Sequence, residues 1–126
     1  IVVLGRARVR LAELDFEPPY RRARATVLAP TQDKEIDGVE VLALTTAASA
    51  FAQLVKARDP DFRLRLPKDA TPGALADACA HHLILSGRER QQALEELDIA
   101  KRVQLVTEIL TVQRASLTMG NASEVN

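Results

Sequence analysis

The spacing of apolar residues changes period once along this chain, and the change divides it in two. Arg6, Arg8 and Arg10 alternate with Ala7, Val9 and Leu11. A period of two puts the guanidiniums on one face of a strand and small apolar groups on the other. Ile1-Val2-Val3-Leu4 is already strand-like, with no methionine and no turn before it. Pro18-Pro19 interrupt regular pairing, and then Arg22, Arg24 and Thr26 alternate with Ala23, Ala25 and Val27. These runs predict two antiparallel neighbours. Two strands alone bury too little apolar area to offset the entropy of ordering them. Further strands are expected, either from an upstream segment or from the edge of another chain, and the abrupt start favours the upstream segment.

After a polar stretch from Pro30 to Gly38 the spacing becomes helical. Leu44, Ala48, Phe51 and Val55, flanked by Ala47 and Leu54, predict a helix of about four turns ending near Arg58. Phe62, Leu64 and Leu66 alternate with Arg63 and Arg65 in a connector that suits a short extended segment. Thr71-Pro72 supplies a capping hydroxyl and a first-turn proline. Leu75, Cys79 and Leu83 share the face that follows. Ser86-Gly87-Arg88-Glu89 fits a capping box for a short helix to about Leu97. Asp98 caps a last helix with the stripe Ile99, Val103, Val106 and Leu110, widened by Ile109, and the residues from Gly120 on are expected to fray.

Strands first and helices after is the order of an α+β fold with segregated parts. Residues 1–30 are expected to be the closing strands of an antiparallel β subdomain, 31–119 a helical subdomain of about four helices, and 120–126 a flexible tail. Neither an internal repeat nor a low-complexity tract is visible.

Composition narrows the class. At 126 residues the chain is long enough to bury a core without disulfides or metal. Seventeen basic residues balance seventeen acidic ones, so no global field draws it to nucleic acid or anionic lipid. Cys79 is the only cysteine, which excludes an internal disulfide and a multi-cysteine zinc site and suits the cytoplasm. No apolar run approaches the roughly 20 residues that span a bilayer.

Residues with chemical potential are few. Five scattered glycines cannot form a phosphate-binding loop. Cys79 with His81 or His82 could pair as nucleophile and base, but Cys79 and His81 are about 200 degrees apart on a helix, and the thiol falls on the apolar stripe. The simpler reading makes Cys79 a core residue and leaves the histidines at the helix C-terminus, where positive charge is favoured. Adjacent histidines do not chelate a metal from one helix face. No catalytic residue, cofactor or metal ligand is assigned.

Two surface features remain. Arg8, Arg10, Arg22 and Arg24 could form a basic sheet face for acidic peptides, or simply a solvated one partly neutralised by Glu13, Asp15 and Glu17. Aromatics that would stack bases are not interleaved with them. Phe16 and Tyr20, beside the prolines, could capture unfolded apolar segments, or staple the sheet to the helices.

The run from Gln91 to Val103, with Gln91, Leu94, Glu95, Asp98 and Arg102 at their observed offsets, resembles the signature of the N-terminal, substrate-binding domain of ATP-dependent Lon proteases. Leu75–Leu83 resembles the helix before that signature. Gly5–Val9 and Pro19–Ala23 resemble the end of the family's β subdomain. The resemblance implies a partly closed, pseudo-barrel-like β subdomain whose opening strands precede Ile1, followed by a helical bundle. It implies a non-catalytic module that binds exposed peptide segments or partner proteins, since the ATPase and the Ser-Lys protease dyad of the family have no counterpart here. By residue type Asp98 suits an N-cap, and Arg102 can pair with it or reach back to Glu95. A stabilising role is favoured for this signature over ligand contact. The polar tail after Leu117 tilts towards a stand-alone protein. The alternative is a structural module that self-associates through an open sheet edge.

Overall fold

The computed structural model describes residues 1–14, 19–32 and 34–124. Two strands, β1 (Arg8–Glu13) and β2 (Ala23–Leu28), precede four helices: α1 (Gly38–Arg58), α2 (Pro72–Leu83), α3 (Gly87–Glu95) and α4 (Ile99–Glu124). The fold is α+β with a helical bundle, and it divides into two units, Ile1–Pro30 and Thr31–Asn126.

In the first unit β1 and β2 pair antiparallel, with Val9 opposite Val27 and Leu11 opposite Ala25. Directly opposed residues share a face, so the predicted apolar and basic faces both form. No described residue of this unit is buried. Val9, Leu11 and Val27 are 44%, 64% and 70% exposed. Ile1–Leu4 are not in a strand, and all four are exposed. Apolar composition alone suggested a strand there, but no partner strand is paired with them among the described residues.

The helical unit holds the core. α1 opens on a capping box: Asp37 accepts from the Glu40 amide at 2.9 Å, and the Glu40 carboxylate accepts from the Asp37 amide at 3.3 Å. Lys56 and Arg58 in the last turn suit the negative end of its dipole. It is longer than the expected four turns because only Leu44, Ala48 and Phe51 are fully buried, while Val39 and Leu42 extend the helix on its exposed side. Every residue from Val41 to Val55 is uncharged. By length and composition α1 could therefore cross a membrane, with a mean hydropathy of 1.5 over its best 18-residue window. This corrects the expectation that no apolar run is long enough. Here α1 packs on α4 and α2 as a core helix.

α2 begins with the Thr71 hydroxyl accepting from the Ala74 amide and buries Leu75, Ala76, Cys79, Ala80 and Leu83. Its first turn lies close to that of α4, where a Cβ on Gly73 would meet Ile99 Cγ2 at 3.3 Å. Ser86 caps α3 by accepting from the Glu89 amide at 3.3 Å, the serine half of the expected box. α4 supplies Val103, Val106, Ile109 and Leu110 to the core. Each large aliphatic side chain buried there contributes about 1.5–3 kcal/mol. Between α1 and α2, Phe62, Leu64 and Leu66 are half-buried against this core and Arg63 and Arg65 are exposed, an extended segment outside any sheet. It ends in a turn where Asp69 adopts φ 55°, a left-handed conformation that aspartate tolerates better than most residues.

Beyond Gly120, where a polar tail was expected to fray, α4 continues to Glu124. One glycine costs a helix only about 1 kcal/mol, and α4 carries its anchoring stripe upstream. The tilt towards a stand-alone protein, which rested on a non-helical tail, loses its support.

Candidate functional site

The hairpin presents the first group of candidate residues. Along its basic face Arg8 lies opposite Leu28, Arg10 opposite Thr26 and Arg24 opposite Ala12. Arg22 continues the register, because its carbonyl accepts from the Leu14 amide at 3.1 Å. The four guanidiniums thus share one face without any two being directly opposed, which limits their repulsion. Arg10, Arg22 and Arg24 are exposed and Arg8 is half-buried. Tyr20 is 69% exposed, while Phe16 lies outside the described residues. On the other face Glu13 is 4.0 Å from Arg21, both largely exposed, a pair that contributes little.

The signature residues divide between a surface and a buried corner. On α3, Gln91, Leu94 and Glu95 are exposed, and Gln91 donates to Glu95 one turn on at 3.1 Å. Asp98 and Arg102 are buried. Asp98 caps α4 as expected, accepting from the Lys101 amide at 2.9 Å. Arg102 Nε donates to the Glu96 carbonyl at 2.9 Å, and its Nη1 donates to Asp77 Oδ1 at 3.3 Å. The arginine thereby ties α2 and the α3–α4 turn to α4. Thr31 is fastened to the same turn: its amide donates to the Leu97 carbonyl and its carbonyl accepts from the Ile99 amide, each at 2.9 Å.

Burial separates the members of the Cys–His pair considered in the sequence. Cys79 is fully buried, and burial pushes its thiol up to about 11, so it is not a thiolate at neutral pH. His81 and His82 are exposed, with ring centroids 4.8 Å apart. Among the described residues no group of three His, Cys, Asp or Glu is placed to hold a metal ion.

Two side-chain clamps escaped the sequence reading. At the start of α1 the Glu40 carboxylate accepts from Lys34 and from Gln104 of α4, each at 3.1 Å. The Lys34 bond, then that of Gln104, holds its pKa below the usual glutamate value. Its signal was the capping-box spacing of Asp37 and Glu40. At the other end of the bundle Gln113 completes two backbone groups left by α2: its Nε2 donates to the Leu83 carbonyl at 2.8 Å, and its Oε1 accepts from the Leu85 amide at 3.0 Å. Gln113 continues the spacing of Val106 and Leu110 towards Leu117, and a lone glutamine on an apolar stripe was the available sign. Beside this clamp lies a groove of about 310 Å³ lined by Phe51, Leu54, Val55, Leu85 and Leu117, with Arg58 and Asp59 among its polar neighbours.

Comparison with known proteins bears on all these features. Residues 1–112 match the family model of the ATP-dependent protease La (LON) substrate-binding domain. Lon protease of Anaeromyxobacter dehalogenans is 35% identical over 130 aligned residues, an alignment covering 96% of this chain and 15% of that protein. Lon protease 2 of Myxococcus xanthus is also 35% identical, again over 96% of this chain and 15% of its own length. Lon protease of Syntrophus aciditrophicus is 32% identical, with 96% and 16% covered. The chain thus spans about 15% of the length of the first two relatives. With the family model matched along most of the sequence, over strands and helices alike, this chain belongs to the Lon protease substrate-binding domain family.

Proposed function

We propose that this chain is a recognition domain that binds exposed, unfolded segments of protein substrates on behalf of a Lon-type ATP-dependent protease, with no catalytic activity of its own. The observation that carries this is the match of residues 1–112 to the Lon substrate-binding domain, and the hairpin is the candidate surface. Among the described residues the sheet has two strands, with Val9, Leu11 and Val27 exposed on one face and an outer edge on each strand. An extended segment can add to such an edge through main-chain hydrogen bonds and rest apolar side chains on the neighbouring face. Tyr20, exposed in the stretch joining the strands, supplies an aromatic contact, and Phe16 is the second aromatic candidate by sequence. Arg8, Arg10, Arg22 and Arg24 on the opposite face select for acidic flanking residues.

The domain acts in the cytoplasm without a cofactor, a nucleic acid or a membrane partner. The balanced charge and the lack of interleaved aromatics on the basic face support this. Gln91, Leu94, Glu95, Asp98 and Arg102 keep a structural role, supported by the burial of Asp98 and Arg102.

Fluorescence anisotropy of labelled, reduced and carboxymethylated α-lactalbumin tests the proposal. Saturable binding to this chain, weakened by Leu11→Asp on the hairpin, is the expected result. A second reading, self-assembly through the open edge, draws on the same exposed residues. Absence of binding together with concentration-dependent oligomers in sedimentation would select it.

A further inference from the structure

We propose that the extended stretch of residues 62–66, between α1 and α2, is an open strand edge that accepts a short segment in which acidic and apolar residues alternate. That such a segment comes from a substrate rests on the recognition reading above, but the edge lies in a different part of the chain.

Burial alternates along the stretch. Phe62, Leu64 and Leu66 are half-buried against the helical core, and Arg63 and Arg65 between them are exposed. Such alternation is the geometry of a strand, and the three apolar side chains anchor it without a neighbouring strand. Across residues 63–66 neither an amide nor a carbonyl has a hydrogen-bond partner among the described residues. Main-chain groups of this kind form the ladder when an extended peptide adds to an edge. The ladder has fixed ends. The Phe62 amide already donates to the Asp59 carbonyl at 3.0 Å, and Pro67 has no amide hydrogen to give. A partner therefore pairs over about four residues, roughly 13 Å of strand.

Charge identifies the occupant. Residues 62–68 include Arg63, Arg65 and Lys68 and no acidic residue. Arg63 folds its Nη1 back onto the Pro60 and Phe62 carbonyls, at 2.7 and 2.9 Å. Arg65 and Lys68 form no hydrogen bond or ion pair among the described residues. Asp61 and Asp69 flank the stretch, and neither is ion-paired with it. In antiparallel pairing about Leu64 a second copy would set Arg63 opposite Arg65, and like charges directly opposed are destabilising. The charges that keep a second copy off this edge favour a strand with carboxylates on the same face. On the other face the partner's side chains run beside Phe62, Leu64 and Leu66, which suits apolar groups. The pattern required is therefore carboxylate and apolar by turns. A segment with acidic residues only on its flanks, the kind the hairpin arginines select, does not present it.

Amide-resolved NMR of the 126-residue chain tests the proposal with two blocked pentapeptides, Val-Glu-Val-Glu-Val and Val-Lys-Val-Lys-Val. The amide signals of residues 63–66 are expected to move saturably with the first peptide and not with the second. Arg65→Glu, at an exposed position outside the core, turns attraction into repulsion and is expected to weaken the glutamate peptide about tenfold. The same variant is expected to bring the lysine peptide onto these amides. Arg88→Glu, an equal change of charge at an exposed position on α3, is expected to do neither. Shifts confined to the hairpin would overturn the edge and leave the recognition reading standing. So would the absence of shifts with both peptides in a chain that still binds unfolded α-lactalbumin. If that binding also fails, both readings fall. An equal response to the two peptides would overturn the selection by charge, and amides of residues 63–66 that move with protein concentration alone would give the edge to a second copy.

Discussion

Arg102 on α4 reaches Asp77 on α2 at 3.3 Å across 25 residues of sequence, with the arginine side chain 2% exposed and the aspartate 43%. The pair is asymmetric. The guanidinium is withdrawn from water and depends on protein partners, the Glu96 carbonyl at 2.9 Å among them, while the carboxylate keeps solvent as an alternative. The corner of the bundle is thus secured by the arginine, with the aspartate as one of its anchors.

Removing the two partners should have unequal consequences. Arg102→Ala strips the turn before α4 of its donor and leaves a cavity, and is expected to cost about 3 kcal/mol. Asp77→Ala leaves the buried guanidinium short of one carboxylate but keeps its bond to the Glu96 carbonyl, and is expected to cost about 1–2 kcal/mol. Urea denaturation followed by far-UV circular dichroism measures both. Equal losses would contradict the asymmetry.

Cys79 should be silent towards thiol reagents in the folded chain. Burial raises its pKa to about 11, and the folded state then retains a proton that the unfolded state has lost. Stability is accordingly unaffected at neutral pH and falls as pH rises from the ordinary cysteine value through about 11. Reaction with Ellman's reagent at pH 8 is expected only after denaturant is added. Rapid labelling of the native chain would place the thiol outside the core.

Glu40 contributes to the acid limb. Its lowered pKa means that the clamp contributes stability above the ordinary glutamate value and loses it as pH falls through the depressed one. Glu40→Gln should therefore flatten the pH dependence of the melting temperature in the acid range, with the difference from the unsubstituted chain vanishing once the carboxylate is protonated. A difference that persists at the acid end would point to packing instead of charge.

The arginine face should reveal itself through salt. If Arg10, Arg22 and Arg24 select acidic flanks, affinity for an acidic unfolded peptide falls with ionic strength, as screening of exposed charges requires. Replacing all three with Gln should remove that dependence and leave binding of a neutral apolar peptide unchanged. An unchanged salt slope would return this surface to a solvated face.

Local rules carried much of the fold. Hydroxyl and carboxylate caps at Thr71, Ser86 and Asp98, and the alternation of Arg6–Leu11 and Arg22–Val27, follow from short-range sterics and hydrogen bonding, and the helix starts and the hairpin register agree with them. The length of α1 was underestimated because its exposed side is also apolar, which blurs the helical period. Two partners of Arg102, Asp77 and the Glu96 carbonyl, were not anticipated, for another reason. Asp98 and Glu95 were its neighbours in sequence, whereas Asp77 comes from a different helix and the Glu96 bond is to a backbone carbonyl, and no spacing rule announces either. The groove was invisible for the same cause: α1, the link at Leu85 and Leu117 meet only in three dimensions. Arg8, Arg10, Arg22 and Arg24 could be placed on one face because alternation of period two separates the faces of any strand, whereas Tyr20 was marked only by its place beside the prolines.

Whether the chain discriminates unfolded from folded protein is decided by one comparison: anisotropy titrations with labelled α-lactalbumin in its native, disulfide-bonded form and in its reduced, carboxymethylated form. Saturable micromolar binding of the unfolded form, with little or none of the native form, is the result expected of a recognition domain. Equal binding of both forms, or of neither by a chain shown to be folded, would contradict it.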